Sequence, residues 1–213
     1  MFVLTEKNSI ANHFLSEMRN IETQKDRMRF RRNMERLGEI FAYEISKTLV
    51  YKNCEIDTPL GVSPINIMKD QPVLATILRA GLPFHQGFLN YFDHASSAFV
   101  SSYRKVRKKG DFIIKTEYIS SQDLNNKILI ISDPMLATGR SMVSSCKELL
   151  GDYKIKEMHI ATIIASQEGI AHVKANLPHA RLWIGAIDEE LTSKAYIVPG
   201  LGDAGDLAFG EKI

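Results

Sequence analysis

Apolar residues recur at helical spacing in the first quarter of the chain. After Thr23, which we take as a helix cap with Asp26 three residues further on, apolar side chains follow every three or four residues as far as Leu49. This spacing predicts an amphipathic helix within a helical N-terminal segment of about residues 9–50. The opposite face carries five arginines: Arg27, Arg29, Arg31, Arg32 and Arg36. We interpret this face as solvated and paired with neighbouring glutamates; the alternative is an anion or RNA patch.

Short apolar runs alternate with helical stretches from residue 73 onward. The pattern predicts strands at 73–78, 98–102, 127–132, 159–165 and 181–186, and helices at 83–92, 141–150 and 168–176. This alternation indicates an α/β fold with a mostly parallel, twisted sheet flanked by helices. Before the first of these strands, Pro59, Gly61, Pro64 and Pro72 predict a loop.

One segment interrupts the alternation. Residues 103–120 contain two extended runs around a Gly110-Asp111 turn signal, which predicts a β-hairpin flap projecting from the sheet. The flap begins with five cations in six positions, at residues 104–109. Such a flap could cover a polyphosphate, with an RNA contact as the competing interpretation. We find no linker that divides the chain and predict one domain over residues 1–213.

Composition and charge indicate which classes of protein this chain can belong to. The chain has 213 residues, 45% of them hydrophobic, with 27 Lys and Arg against 25 Asp and Glu, which is typical of a globular domain. A net charge of +2 gives no reason to expect a nucleic-acid or membrane partner. The two cysteines have no disulfide or zinc spacing, and no apolar run reaches the roughly 18 residues of a membrane helix. We therefore expect a cytoplasmic protein with no metal site of its own.

Ligands of an open α/β sheet bind beyond the carboxyl ends of its strands, and the segment at residues 133–141 follows such a strand. It opens a helix, whose unpaired N–H groups suit a phosphate, and Thr138 and Ser141 add hydroxyl donors. Asp133 suits sugar hydroxyls instead. The segment lacks the Lys and the upstream Gly of an ATP-binding loop. A cap and turn that bind nothing are the alternative.

Two further strand ends have the residues of a binding site. Arg79, followed by Gly81, could clamp a second anion, with a surface salt bridge as the alternative. Residues 196–206 contain a G-x-G-x-x-G spacing, but so few residues follow that we expect no dinucleotide site. A glycine-rich loop with exposed backbone groups suits the edge of a flat heterocycle, to which Asp203 and Asp206 add carboxylates.

Residues 77–81, 133–139 and 196–206, in this order, resemble the uracil phosphoribosyltransferase family. The third segment separates the uracil enzymes from the purine and orotate enzymes. The resemblance implies a type I phosphoribosyltransferase-like fold with a flap. It also implies pentosyl transfer from 5-phosphoribosyl 1-pyrophosphate (PRPP) to N1 of uracil, giving UMP and pyrophosphate in pyrimidine salvage. Mg²⁺, bound mainly through the pyrophosphate of the donor, and a homodimer or larger homo-oligomer are further implications.

The resemblance also implies the residues of the site. Asp133 and Asp203 would be catalytic. PRPP would be bound by Arg79, Arg104, Asp133, Pro134, Met135, Leu136, Ala137, Thr138, Gly139, Arg140, Ser141 and Asp203. Uracil would be bound by Tyr196, Ile197, Gly202, Asp203 and Ala204. Family members commonly have a cis non-proline peptide in the turn after the residue that matches Arg79.

Two residues depart from the family pattern. Leu207 replaces a usual Arg or Lys, and Arg140 replaces a usual glycine. If that position needs a positive φ, arginine costs about 1 kcal/mol or more, and its side chain either adds a phosphate contact or obstructs the pocket. Two alternatives to the enzyme remain: an RNA-binding pyrimidine-operon regulator on the same fold, and a nucleotide-binding paralogue with weak turnover.

Overall fold

The computed structural model describes residues 1–106 and 112–211, with the backbone alone for 102–106 and 112–117. The strands are β1 (Phe2–Val3), β2 (Tyr51–Thr58), β3 (Gly61–Met68), β4 (Val73–Leu78), β5 (Ser96–Val106), β6 (Phe112–Ser120), β7 (Ile128–Ser132), β8 (Met135–Leu136), β9 (Glu157–Ser166), β10 (Arg181–Asp188), β11 (Glu190–Leu191) and β12 (Ile197–Val198). The helices are α1 (Ala11–Arg19), α2 (Arg27–Ser46), α3 (Leu82–Leu89), α4 (Arg140–Asp152), α5 (Gln167–Asn176) and α6 (Ala204–Phe209).

An eight-stranded sheet forms the centre of the fold, in the order β1-β10-β9-β7-β4-β5-β6, with β8 added beside β9. Every pair is parallel except β5 with β6. The inner strands β4, β7 and β9 are buried along almost their whole length, as expected of runs of Val, Ile, Leu and Ala in a parallel sheet covered on both faces. The predicted α/β fold with a mostly parallel sheet is confirmed.

Two hydrophobic clusters cover the faces of the sheet. One contains Phe30 and Phe41 of α2 together with Phe84 of α3, and it also includes Leu201 and Ala208 near the C-terminus. The other is built on α4 and α5. The first cluster therefore fixes the C-terminal loop against the N-terminal helices. Over the described residues, none of the helices is long and apolar enough to cross a membrane.

The N-terminal segment contains two helices, and the predicted cap at Thr23 is wrong. Thr23 lies in a short 3₁₀ turn, and α2 begins at Arg27 with Asp26 as its cap. The Asp26 carboxylate accepts a hydrogen bond from the backbone N–H of Arg29 at 3.1 Å, which satisfies one of the free donors at the helix start.

The predicted loop before β4 is also wrong in part, because residues 51–68 form an antiparallel hairpin, β2 with β3. Pro59 lies in its two-residue turn, and Pro64 is tolerated in β3 because each strand of this two-stranded sheet has one partner and one open edge. The cross-strand register places Ile56, Ile65 and Ile67 on one face, and all three are exposed.

The predicted flap begins as the antiparallel pair of β5 and β6 at the edge of the sheet. The register shifts between Ser101 and Ser102, where the pair leaves the parallel part of the sheet. The predicted turn at Gly110 and Asp111 lies outside the described residues, and so does the side chain of Arg104.

Candidate active site

A cavity of about 700 Å³ lies beyond the carboxyl ends of β4 and β7. The residues that line it come from four segments, at 77–80, 133–142 without Pro134, 194–196 and 202–205, together with Ser101. The three strand-end segments that the sequence singles out therefore meet at one cavity. In particular, Thr138 and Asp203 line the same space although 65 positions separate them in the chain.

Most of the predicted site residues line this cavity. They are Arg79, Asp133, Met135, Leu136, Ala137, Thr138, Gly139, Arg140, Ser141, Tyr196, Gly202, Asp203 and Ala204. Pro134 and Ile197 are not brought into it. The Pro134 carbonyl accepts hydrogen bonds from the backbone of Ile163 and Ile164 at 3.1 and 3.0 Å, and Ile197 is 4% exposed in the cluster that contains α2.

The segment between β7 and α4 presents a helix N-terminus to the cavity. Gly139 caps α4 with φ 72°, and Arg140 is the first helical residue. The left-handed conformation thus falls on the glycine, so arginine at position 140 does not incur the cost considered above. The turn is held from behind by Ser166, whose hydroxyl donates to the Ala137 carbonyl and accepts from the Gly169 N–H. The N–H groups and the positive dipole end of the α4 N-terminus suit an anion.

Asp133 directly follows β7 and lies at the floor of the cavity. Burial raises the pKa of its carboxyl group to about 7, and a hydrogen bond from the Met135 N–H opposes part of that increase. Its backbone N–H donates to the Ala161 carbonyl at 3.1 Å, which fixes the residue to β9. Once ionised, the carboxylate can accept hydrogen bonds from two neighbouring hydroxyls.

Arg79 lies between the β4 end and the C-terminal helix. Its Nη2 atom is 3.3 Å from the Asp206 carboxylate, while its buried Nε atom has no hydrogen-bond partner. A cis peptide joins Leu78 to Arg79, one bond before the position that the resemblance implies. Gly81 is required by space, because a Cβ there would collide with the Thr76 hydroxyl. The guanidinium therefore has an unused donor beside the cavity.

The C-terminal loop presents backbone groups and one carboxylate to the cavity. Gly200 and Gly202 have φ of 57° and 93°. Asp203 caps α6 through its Oδ1 atom, which accepts from the backbone N–H groups of Gly205 and Asp206 at 2.8 and 3.0 Å. Both capping bonds use Oδ1, so Oδ2 can face a ligand. Leu207, where the resemblance implies a cation, packs beside Gly202: a Cβ added at Gly202 would lie 3.7 Å from the Leu207 Cδ1 atom.

Sequence reasoning missed several residues at or near the site. Lys194 and Ala195, in the turn between β11 and β12, line the cavity beside Tyr196. Asp188 ends β10 at the same edge of the sheet and is hydrogen-bonded to Gly200. Its position two residues beyond a predicted strand was a usable signal, whereas nothing local marks the partner of its carboxylate, Arg19.

Comparison with known proteins identifies one family over nearly the whole chain. The family model of uracil phosphoribosyltransferase matches residues 4–211. A protein of Porphyromonas gingivalis named uracil phosphoribosyltransferase is 53% identical over 211 residues, covering 99% of this chain and 98% of that protein. One of the same name from Methanococcus maripaludis is 40% identical over 200 residues, covering 92% and 84%. The solved structure of the AQ2163 protein from Aquifex aeolicus has a TM-score of 0.87 at 26% identity and covers 100% of both chains. The chain therefore belongs to the uracil phosphoribosyltransferase family.

Proposed function

We propose that this protein transfers the phosphoribosyl group of PRPP to N1 of uracil, giving UMP and pyrophosphate in pyrimidine salvage. The observation that carries the proposal is the single cavity between a helix N-terminus and a glycine-rich loop. The first suits the 5′-phosphate of the donor, and the second suits the polar edge of a pyrimidine. Family membership and the names of its relatives support the same reaction.

The roles that we propose follow the chemistry of the cavity walls. Residues 137–141 hold the 5′-phosphate, and Asp133 accepts hydrogen bonds from the ribose hydroxyls. Arg79, whose side chain is 40% exposed and lines the cavity, binds the pyrophosphate, and Arg104 of the flap is assigned to the same group. On the other side, backbone groups of the loop bind the base. The free Oδ2 atom of Asp203 faces the reacting nitrogen.

These groups fit the charges that the reaction develops. The bond between C1′ and the pyrophosphate oxygen breaks, the bond from N1 to C1′ forms, and N1 loses its proton. Negative charge builds up on the leaving group and positive charge at C1′, so fixed donors around the pyrophosphate stabilise the transition state more than the bound substrate. Holding donor and base in line lowers the barrier further. No covalent intermediate with the protein is needed.

The donor set of the cavity is compatible with Mg²⁺. Mg²⁺ in proteins keeps several waters and is bound by one or two carboxylates together with substrate phosphates. Asp133 and Asp203 both line the cavity and are ligands of this kind. When bound, the ion neutralises charge on the departing pyrophosphate. We propose that the pyrophosphate of PRPP contributes most of the ligands of the ion.

The test is direct. Purified protein incubated with uracil, PRPP and Mg²⁺ should form UMP, which chromatography detects. Hypoxanthine or orotate in place of uracil should give much less nucleotide product. Asp133→Asn and Asp203→Ala should each lower the rate at least about ten-fold, equivalent to roughly 1.4 kcal/mol of transition-state stabilisation. An absence of UMP at saturating PRPP would refute the proposal.

The RNA-binding alternative depends on the arginine face of α2, which is largely engaged within the chain. Arg29 is paired with Glu17 at 2.6 Å, Arg32 with Glu35 at 2.7 Å, and Arg31 donates to the Ala208 carbonyl at 2.7 Å. These contacts agree with the interpretation of a face paired with glutamates, and they leave few cations of this face for phosphates.

We further propose a cytoplasmic homo-oligomer. Cys54 and Cys146 are both free thiols, which suits a reducing compartment. The exposed face of the β2–β3 hairpin carries Ile56 and Ile65, which are 44% and 51% exposed, and the turn adds Leu60 at 100%. An apolar face of this kind on an arm about 25 Å long suits contact with a second copy of the chain. Light scattering of the purified protein tests the oligomer.

A further inference from the structure

An ion pair between a partly buried arginine and a buried aspartate is attached to the C-terminal loop from outside the cavity. Arg19, the last residue of α1, binds the Asp188 carboxylate through two hydrogen bonds of 2.8 Å. The same pair binds both polar backbone groups of Gly200: its N–H donates to Asp188 Oδ2 at 2.8 Å, and its carbonyl accepts from Arg19 Nη1 at 3.0 Å. The three residues therefore form a closed ring of hydrogen bonds, which we call the Gly200 clamp.

The clamp joins the loop to two rigid elements. Asp188 ends β10, and its side chain is 6% exposed, while Arg19 is anchored by α1, whose residues Leu15 and Met18 are in the hydrophobic core. Two-pronged Arg–carboxylate contacts fix direction as well as distance. Because Asp188 would be left as a buried charge without Arg19, the geometry of the pair resists displacement.

The part of the loop that is clamped has little freedom of its own. Gly200 has φ 57°, and a Cβ at this position would collide with the Ile197 carbonyl. The next residue, Leu201, is 4% exposed in the core. The Gln24 amide, in the orientation that satisfies both its oxygen and its nitrogen, donates to the Leu201 carbonyl at 2.8 Å. The loop is thus held on successive residues by the segment around α1.

The clamp lies directly before the residues that line the cavity. Gly202 and Asp203 follow Gly200 by two and three positions and face the cavity, whereas neither Arg19 nor Asp188 lines it. A shift of the backbone at Gly200 would therefore move the base side of the cavity, while Thr138 and the α4 N-terminus are held by contacts to β9 and α5. Loss of the clamp should affect one substrate and not the other.

We propose that Arg19 and Asp188 are positioning residues that set the affinity for the base by fixing Gly200. The proposal rests on the proposed function for the identity of the base. The proposal requires that loss of the clamp weakens binding of the base and leaves binding of PRPP unchanged. A general loss of stability would weaken binding of both substrates.

The chain offers a matched control on the same helix. Glu17, two residues before Arg19, makes a similar two-pronged pair with Arg29, through bonds of 2.9 and 2.6 Å. That pair joins α1 to α2 and makes no hydrogen bond to the C-terminal loop in the described part of the chain. Glu17→Gln therefore weakens the attachment of α1 without touching the clamp.

The experiment compares Arg19→Lys, Asp188→Asn and Glu17→Gln with the unmodified protein in initial-rate assays. We expect the first two to raise KM for uracil at least ten-fold and to change KM for PRPP by less than about two-fold. Glu17→Gln should leave both values within about two-fold. Equal increases in the two KM values for Arg19→Lys, or the same uracil effect in Glu17→Gln, would overturn the proposal.

A second measurement does not depend on turnover. Hydrogen exchange of the peptide covering residues 196–211 reports the backbone of the clamped loop, where the Gly200 N–H is a donor to Asp188. Arg19→Lys and Asp188→Asn should speed exchange in this peptide at least ten-fold, and Glu17→Gln should not. Unchanged exchange would refute the clamp itself. If the unmodified protein forms no UMP but the exchange result holds, the proposed function fails and the positioning of the loop stands.

Discussion

Replacing Asp133 by asparagine should raise stability at alkaline pH while it lowers activity. The carboxyl group is buried at the floor of the cavity, and burial raises its pKa from 3.8 to about 7. The folded protein consequently binds this proton more tightly than the unfolded chain does. Between pH 4 and pH 7 the free energy of unfolding therefore falls as pH rises, because folding must keep a carboxylate where it is poorly solvated.

The pKa values give the size of the effect. A shift of about three units corresponds to roughly 4 kcal/mol at pH values above 7, since each unit is worth about 1.4 kcal/mol. That figure is an upper limit, because the side chain is partly open to the cavity and the Met135 N–H already stabilises the charge. We expect Asp133→Asn to gain about 1–3 kcal/mol at pH 8 and close to nothing at pH 4.

Urea unfolding at pH 4.5, 6 and 8 measures this difference, with initial rates of UMP formation measured on the same samples. Asp203→Ala is the contrasting variant, because it removes the cap of α6 and should cost about 1 kcal/mol. The two substitutions should thus both lower activity but change stability in opposite directions. A loss of stability in Asp133→Asn at pH 8, or an equal gain at all three pH values, would show that the burial argument is wrong.

Three further predictions test other parts of the molecule. Arg140→Gly should lower the free energy of unfolding by about 1 kcal/mol, since position 140 is helical, and should change KM for PRPP by less than ten-fold. A large rise in kcat in this variant would instead identify the protein as the paralogue with weak turnover. Gly81→Ala should cost several kcal/mol, because its Cβ has no space, whereas Gly151→Ala, with open space around it in α4, should gain about 0.5–1 kcal/mol, and equal thermal shifts would contradict this. Ile65→Glu should reduce the mass measured by light scattering, and Asn66→Glu on the opposite face of the hairpin should not; an unchanged mass in both would exclude this face as the contact.

The parts of the fold that the sequence predicts are those with strong local signals. The run from Val73 to Leu78 is apolar except for Thr76 and is a strand with the predicted bounds. The hairpin of β2 and β3 was missed because its prolines, at positions 59 and 64, usually interrupt strands, and because most of its apolar residues are exposed and not part of a core. An exposed strand and an extended loop can have the same pattern of apolar and polar residues, so the pattern does not distinguish them.

The site shows the same difference between local and long-range determinants. The turn from Asp133 to Ser141 could be predicted because strand, turn and helix cap follow each other within a dozen residues. The bond from Arg19 to Asp188 joins residues 169 positions apart, and neither one is unusual in its own segment. Such a contact depends on the order of strands in the sheet, which places the end of β10 beside α1. The spacing of residues in the sequence does not indicate this contact.

The two sides of the cavity are consequently stabilised in different ways. On the phosphate side, Gly139, Ser166 and Gly169 hold the turn through contacts within one stretch of the chain, the Ser166 to Ala137 bond spanning 29 positions. On the base side, the loop around Gly200 is held by a helix from the other end of the chain. Substitutions in α1 can therefore alter the base side without disturbing the phosphate side. With the proposed roles, the choice of base is open to change through residues that contact neither substrate, whereas binding of the phosphate depends on the turn proposed to touch it.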